Sequence, residues 1–188
     1  ESRDVSEQDG HANGHAVYYA YDPQHRLSSL TDALGQSETY QYDANSNLAR
    51  ATDPDSRSTY FGYDVMDRLT QVDYPDATRT TYKYDVSSNM IASTDARGMT
   101  RFEYDDIDRL SREFAPDSVV TTHKHNAVGA RTSVSVTGAA TAYYAYDDAT
   151  RMTSVSAADI GATYYRYDAV GNVARKILGN GCYTYFAY

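Results

Sequence analysis

Three groups of side chains in this sequence have the types and spacings that chemistry needs. His123 and His125 stand at i and i+2, where strand alternation puts both imidazoles on one face, a spacing compatible with a metal ion. Aspartates recur along the whole chain and would generate carboxylate pairs within the roughly 5 to 9.5 Å that glycosidases use. Cys182 is a lone thiol in the run Gly179-Asn180-Gly181-Cys182, so neither an internal disulfide nor a cysteine metal cluster can form. His11 and His15 lie in a Gly, Asp and Gln-rich leader, residues 1 to 16, with no aromatic residue; it reads as a linker. No Ser-His-Asp signature, phosphate-binding glycine loop or zinc motif is present. Catalysis requires one place unlike its neighbours, and an aspartate that recurs everywhere does not supply one. The expectation is a protein with no catalytic residue, no metal site and no cofactor.

The elements that would position these groups come from an unusual composition. Leu, Ile, Val and Phe make up only 28 of 188 residues, while tyrosine alone accounts for 20 and tryptophan is absent. With a net charge of -9 and a mean hydropathy of -0.66, that aliphatic content falls in the range of disordered chains. Tyrosine must therefore supply the surface that aliphatic residues usually bury. An acidic chain with a pI near 4.8 is a poor match for a phosphate backbone, so nucleic acid is excluded as a partner. No apolar run approaches the roughly 18 residues of a membrane span, so membrane insertion is not expected. No secretory signal opens the chain, and Glu1 in place of an initiator suggests a processed or excerpted segment.

Internal repetition organises the rest. Tyr-Asp pairs start at Tyr21, Tyr42, Tyr63, Tyr84, Tyr104, Tyr146 and Tyr167, at steps of 21 with a single step of 20 and one doubled gap. His125-Asn126 fills that gap as a degenerate copy, and Tyr188 opens a ninth repeat. Two residues before each anchor stand Tyr19, Tyr40, Phe61, Tyr82, Phe102, His123, Tyr144, Tyr165 and Phe186. His123 and His125 thus occupy the two aromatic slots of one repeat, which explains them without a metal. Five residues after the anchor the residue alternates: Arg26, Asn47, Arg68, Asn89, Arg109, Ala130, Arg151, Asn172. A period of about 42 is therefore laid over the period of 21, as if neighbouring repeats met different surroundings.

Within a repeat, aromatics at i and i+2 share one side of a strand. In Thr81-Tyr82-Lys83-Tyr84-Asp85 the tyrosines face one way and Thr81, Lys83 and Asp85 the other. Polar turn formers follow, and a second strand begins near the Leu or Met six residues after the anchor. Asp22, Asp43, Asp64, Asp85, Asp105, Asn126, Asp147 and Asp168 read as the residues that fold their own turn through side-chain hydrogen bonds. Nothing shows helical periodicity. The predicted fold is all-β: tandem hairpins of about 21 residues over 17–188, forming a spiralling antiparallel sheet. Its roughly 16 strands would span near 77 Å at about 4.8 Å each. Tyr19 to Tyr188 in the two aromatic slots would form a structural ladder in which each repeat covers the rings of the next.

The alternating Tyr-Asp-x-x-x-Arg-Leu and Tyr-Asp-x-x-x-Asn-Leu motifs, clear in Tyr63–Leu69 and Tyr167–Val173, resemble the YD-repeat or RHS-repeat family. That resemblance covers about residues 18 to 188 and implies a spiralling sheet of hairpins. In bacterial RHS proteins and the cocoon subunits of Tc toxins such sheets wall off a cavity holding a toxic segment; in teneurins a similar barrel serves adhesion. Three departures stand out. Family shells are far longer, the turn glycine is often replaced (Asp67, Ser88, Thr150), and neither a toxin domain nor an Asp-Pro-centred core motif is present.

The functional expectation is a non-catalytic structural module of a large secreted or cell-surface protein, forming a wall or an extracellular fibre. An encapsulating toxin shell and a glycan- or protein-binding adhesion module are the alternatives. Partners would be neighbouring repeats of the same or identical chains, with an enclosed polypeptide or a surface glycan as further candidates.

Overall fold

The computed structural model describes residues 16–188, so His11, His15 and almost all of the leader lie outside the described residues. Regular structure among the described residues is entirely β: seventeen strands, one more than the count read from the repeats, because the ninth repeat contributes its own short strand. The chain divides into two compact units, one built from residues up to Lys83 with Ser93–Gly98, the other from Tyr84–Ala92 and Met99–Tyr188.

The first unit contains β1 (Tyr18–Tyr21), β2 (Leu27–Thr31), β3 (Ser37–Tyr42), β4 (Leu48–Thr52), β5 (Ser58–Tyr63), β6 (Leu69–Asp73) and β7 (Arg79–Tyr84, whose last residue falls in the second unit). Each pairs antiparallel with the next along the chain. The strand β8 (Met90–Asp95) divides between the units after Ala92. In the second unit follow β9 (Gly98–Tyr104, which enters it at Met99), β10 (Leu110–Phe114), β11 (Val120–His125), β12 (Arg131–Val136), β13 (Ala142–Tyr146), β14 (Met152–Ala157), β15 (Gly161–Tyr167), β16 (Val173–Leu178) and β17 (Tyr183–Tyr185). They too pair antiparallel in sequence order from β9 to β17. The all-β class and the tandem hairpins are those the repeat period predicts.

One loop design closes most hairpins at both ends. After Asp22 the chain makes a type I turn, with His25 N–H donating to the Asp22 carbonyl at 2.9 Å and Asp22 N–H to the Arg26 carbonyl at 2.8 Å. The third loop residue is left-handed, and the extra residue displaces the pairing at the anchor tyrosine; register shifts fall between Gln41 and Tyr42, Gly62 and Tyr63, and Arg166 and Tyr167. Glycine takes that left-handed place at Gly129 and Gly171, whereas His25, Ser46, Asp67, Ser88, Asp108 and Thr150 adopt it with a side chain. Opposite loops behave alike: Ser56 and Ala77 have φ of 63° and 65° in Asp53-Pro54-Asp55-Ser56 and Tyr74-Pro75-Asp76-Ala77.

The interior is thin. Among the described residues Val72, at 4% exposure, is the deepest hydrophobic residue, and Ala92, Ala157 and Ser133 are the other buried positions. Most strand residues are half-buried, as expected where single sheets cover themselves with side chains from the neighbouring strand rather than with a second layer.

Candidate functional site

The recurring constellation is the Tyr-Asp anchor together with the turn that follows it. Each Asp carboxylate divides its two oxygens between two tasks. In the repeat of Asp22, Oδ1 accepts the backbone N–H of Gln24 and of Arg26 at 2.9 and 3.0 Å, which fixes the loop. Oδ2 accepts Arg26 Nε and Nη2, both at 2.7 Å, which fixes the guanidinium. The same four contacts recur at Asp64 with Arg68, Asp105 with Arg109 and Asp147 with Arg151. Where the repeat carries Asn, Asp43 and Asp85 hold the Asn47 and Asn89 side-chain amides at 3.2 Å instead. Asn126 keeps the loop contacts in the degenerate repeat, its Oδ1 accepting Val128 and Ala130 N–H. The Arg109 guanidinium, hydrogen-bonded to Asp105, holds that carboxyl at about 2, against burial pulling the other way. At Asp43 and Asp168 the backbone N–H of Asn47 and Asn172 leads the same downward shift.

The anchor tyrosine couples successive repeats. Its hydroxyl donates to the backbone carbonyl of the residue that opens the second strand of the preceding repeat: Tyr42 to Leu27 at 2.9 Å, Tyr63 to Leu48 at 3.0 Å, Tyr104 to Met90 at 2.9 Å, Tyr146 to Arg131 at 2.8 Å and Tyr167 to Met152 at 2.7 Å. The preceding repeat's arginine lies over the same ring, Arg26 Cζ 4.5 Å from the Tyr42 centroid and Arg151 Cζ 4.7 Å from that of Tyr167. Burial first, then the nearby carboxylate of Asp43 or Asp85, pushes the Tyr63 and Tyr104 phenols up, so they remain donors at any physiological pH.

The same geometry accounts for the alternation as far as Asn89; after Arg109 and Arg151 the next left-handed residue is Gly129 or Gly171, which has no side chain to meet. Arg26 Nη1 reaches forward to the Ser46 hydroxyl at 3.0 Å, the left-handed residue of the next turn. Asn47 Nδ2 reaches forward to Asp67 Oδ1 and Asn89 Nδ2 to Asp108 Oδ1, each at 2.7 Å, again onto the next left-handed residue. A cation already satisfied by its own aspartate meets a neutral hydroxyl, and a neutral amide meets a carboxylate. The pairing of position five with position four of the following repeat stands in the sequence from Arg26 to Asp108 as Arg then Ser and Asn then Asp, a signal separate from the 21-residue period.

Tyr40, Phe61, Tyr82, Phe102, Tyr144 and Tyr165 are half-buried, as are Tyr42, Tyr63, Tyr84, Tyr104, Tyr146 and Tyr167. Tyr19, Tyr21, Phe186 and Tyr188 are exposed. The Tyr40 hydroxyl donates to Glu38 at 2.6 Å, and that carboxylate lifts the phenol to about 12. His123 and His125 are also half-buried; burial, then Arg131 and His125, lowers the His123 imidazole. Among the described residues no group of three or more His, Cys, Asp or Glu is placed to hold a metal ion. Cys182 is an exposed free thiol in the loop before β17. Two shallow open grooves lie at turns, one lined by Asp53, Arg57, Tyr74 and Thr78, the other by Asn126, Tyr144, Tyr146 and Asp147. Neither brings together a nucleophile, a base and an oxyanion donor.

Comparison with known families matches this geometry. The model of the RHS Repeat family fits residues 21–58, 42–79 and 63–101, three overlapping windows that each begin on an anchor tyrosine. Residues 21–101 match RHS repeats. Similar solved structures include the crystal structure of TcdB2-TccC3-TEV, 14% identical with a TM-score of 0.58 over 90% of this chain and 12% of that one. The crystal structure of TcdB2-TccC3 gives 17% identity and a TM-score of 0.58 over 86% of this chain and 11% of that chain. The Tc holotoxin pore of Photorhabdus luminescens gives 14% and 0.50 over 93% of this chain and 14% of that chain. The chain therefore spans about an eighth of the length of the solved chains it matches. No curated protein matches it.

Proposed function

We propose that this RHS-repeat chain is a non-catalytic structural module: a stretch of wall in a large secreted or cell-surface protein, built to enclose a polypeptide. The supporting observation is the phenol-to-carbonyl latch. The Tyr-Asp machinery is spent on holding one repeat to the next, through hydroxyl, guanidinium and carboxylate groups that already have partners. A carboxylate that an arginine holds below its ordinary range is a weak general base, and a phenol whose proton is committed to a carbonyl is a weak nucleophile. The fold shared with TcdB2-TccC3 over 90% of the chain supports a shell rather than a fibre as the form of that wall.

Electron microscopy of the intact protein tests the reading. Closed hollow particles are the expected result. Continuous solid filaments would overturn the shell, and a hydrolytic activity abolished by substituting a Tyr-Asp residue would overturn the non-catalytic role.

A further inference from the structure

At one place the charge pattern of the sheet breaks. The residue just before the anchor tyrosine pairs directly across the hairpin with the third residue of the following strand, and in other repeats these partners are compatible: Gln41 opposite Arg50, and Glu103 opposite Arg112, with Arg112 Nη1 3.4 Å from Glu103 Oε2. On β15 and β16 the equivalent pair is Arg166 opposite Arg175. Like charges directly opposite one another are destabilising, and no carboxylate on these strands compensates. The strands β14 to β17 contain no Asp or Glu, and neither guanidinium pairs with a carboxylate among the described residues. In a chain of net charge -9, where Arg26, Arg68, Arg109 and Arg151 are all neutralised within their own turns, this is an uncompensated cationic spot.

Aromatic rings frame it. Arg175 lies between Tyr183 and Tyr185, its Cζ 4.7 and 5.3 Å from their centroids, and the two rings meet edge to face at 5.4 Å. The Arg175 Nε is buried among them with no hydrogen-bond partner. Tyr164, two residues before Arg166 on the same strand face, is about half exposed. Planar guanidinium forks suit carboxylates, and exposed tyrosine beside arginine is the composition of protein–protein hot spots.

We propose that the face of β15–β17 carrying Arg166, Arg175, Tyr164, Tyr183 and Tyr185 docks an acidic polypeptide segment, whose carboxylates bridge the two arginines while its side chains rest on the phenol rings. Charge complementarity selects that occupant: a carboxylate between Arg166 and Arg175 restores the arrangement that Glu103 and Arg112 achieve internally. The proposal goes beyond the wall reading and holds whether or not the wall closes.

The test uses the intact protein and labelled poly-L-glutamate, followed by fluorescence anisotropy. Saturable, salt-sensitive binding is expected. Arg166→Gln and Arg175→Gln should each weaken it roughly tenfold, the loss of one charge-assisted contact, and Tyr185→Ala should weaken it also. Arg97→Gln, which removes a charge paired with Asp95 in the turn between β8 and β9, should leave it unchanged. Arg166→Glu recreates the pairing seen at Glu103 and Arg112; it should raise the melting temperature while abolishing binding, which separates recognition from folding. Absence of binding, an equal loss in Arg97→Gln, or equally tight binding of polygalacturonate would each overturn the proposal, the last by pointing to a polysaccharide. None of these outcomes changes the particle seen by microscopy, so the two readings fail separately.

Discussion

At the scale of single residues, the Tyr-Asp pair performs two different jobs: the aspartate shapes its own turn, and the tyrosine reaches back to the previous repeat. Tyr42→Phe keeps the ring beneath Arg26 but leaves the Leu27 carbonyl without its donor. It should cost about 1 kcal/mol, the usual net value of one such bond, read as a lower urea midpoint with unchanged slope. The carboxylates give a pH dependence of definite sign. Because Asp105 titrates at about 2 when folded, below its ordinary 3.8, its contribution is fully present above that ordinary value and disappears as pH falls toward 2. Asp105→Asn should therefore melt earlier than the parent protein at pH 7, and the difference should shrink in melts recorded between pH 4 and pH 2.

Turns and strands set the next level, and here the fold was largely readable from sequence while the site was only partly so. A period of 21 with aromatics at i and i+2 leaves little choice but hairpins, and the Asp that precedes each loop marks where the chain turns. The partner of the phenol could not be read, because it is a backbone carbonyl, offered equally by Leu27, Met90 and Arg131. The meaning of the Arg/Asn alternation was hidden for a related reason: its partner sits one residue earlier in the next repeat, a contact about 20 positions away that only the strand register brings close. Asn47→Asp probes it. A third carboxylate beside Asp43 and Asp67 should lower the melting temperature at pH 7, and the deficit should shrink in acid as the introduced carboxylate takes up a proton. The left-handed turn residue offers the opposite experiment. Thr150 is β-branched at φ 60°, and Thr150→Gly should relieve that conformation and raise stability by about 1 kcal/mol in thermal melts.

Across each compact unit, strands touch their sequence neighbours, so stability accumulates repeat by repeat as in other linear arrays. Length should then be adjustable only in whole repeats. Deleting Asp43–Tyr63, one full period, should preserve the β circular dichroism spectrum and a cooperative melt, because Tyr42 is then followed by Asp64 in an intact motif. Deleting Asp43–Asp53 should instead lower the melting temperature and broaden the transition, since the removed stretch is not a period and takes Leu48, the carbonyl partner of Tyr63, with it. The shallow interior, with Val72 as its deepest apolar side chain, carries a thermal consequence. Unfolding uncovers little oily surface, and the heat capacity increment comes mainly from such surface, normally about 12 to 15 cal/mol/K per residue. Calorimetry should find a smaller step here, and with it a broad, flat dependence of stability on temperature: a material that stiffens and softens little between a cold environment and a warm one.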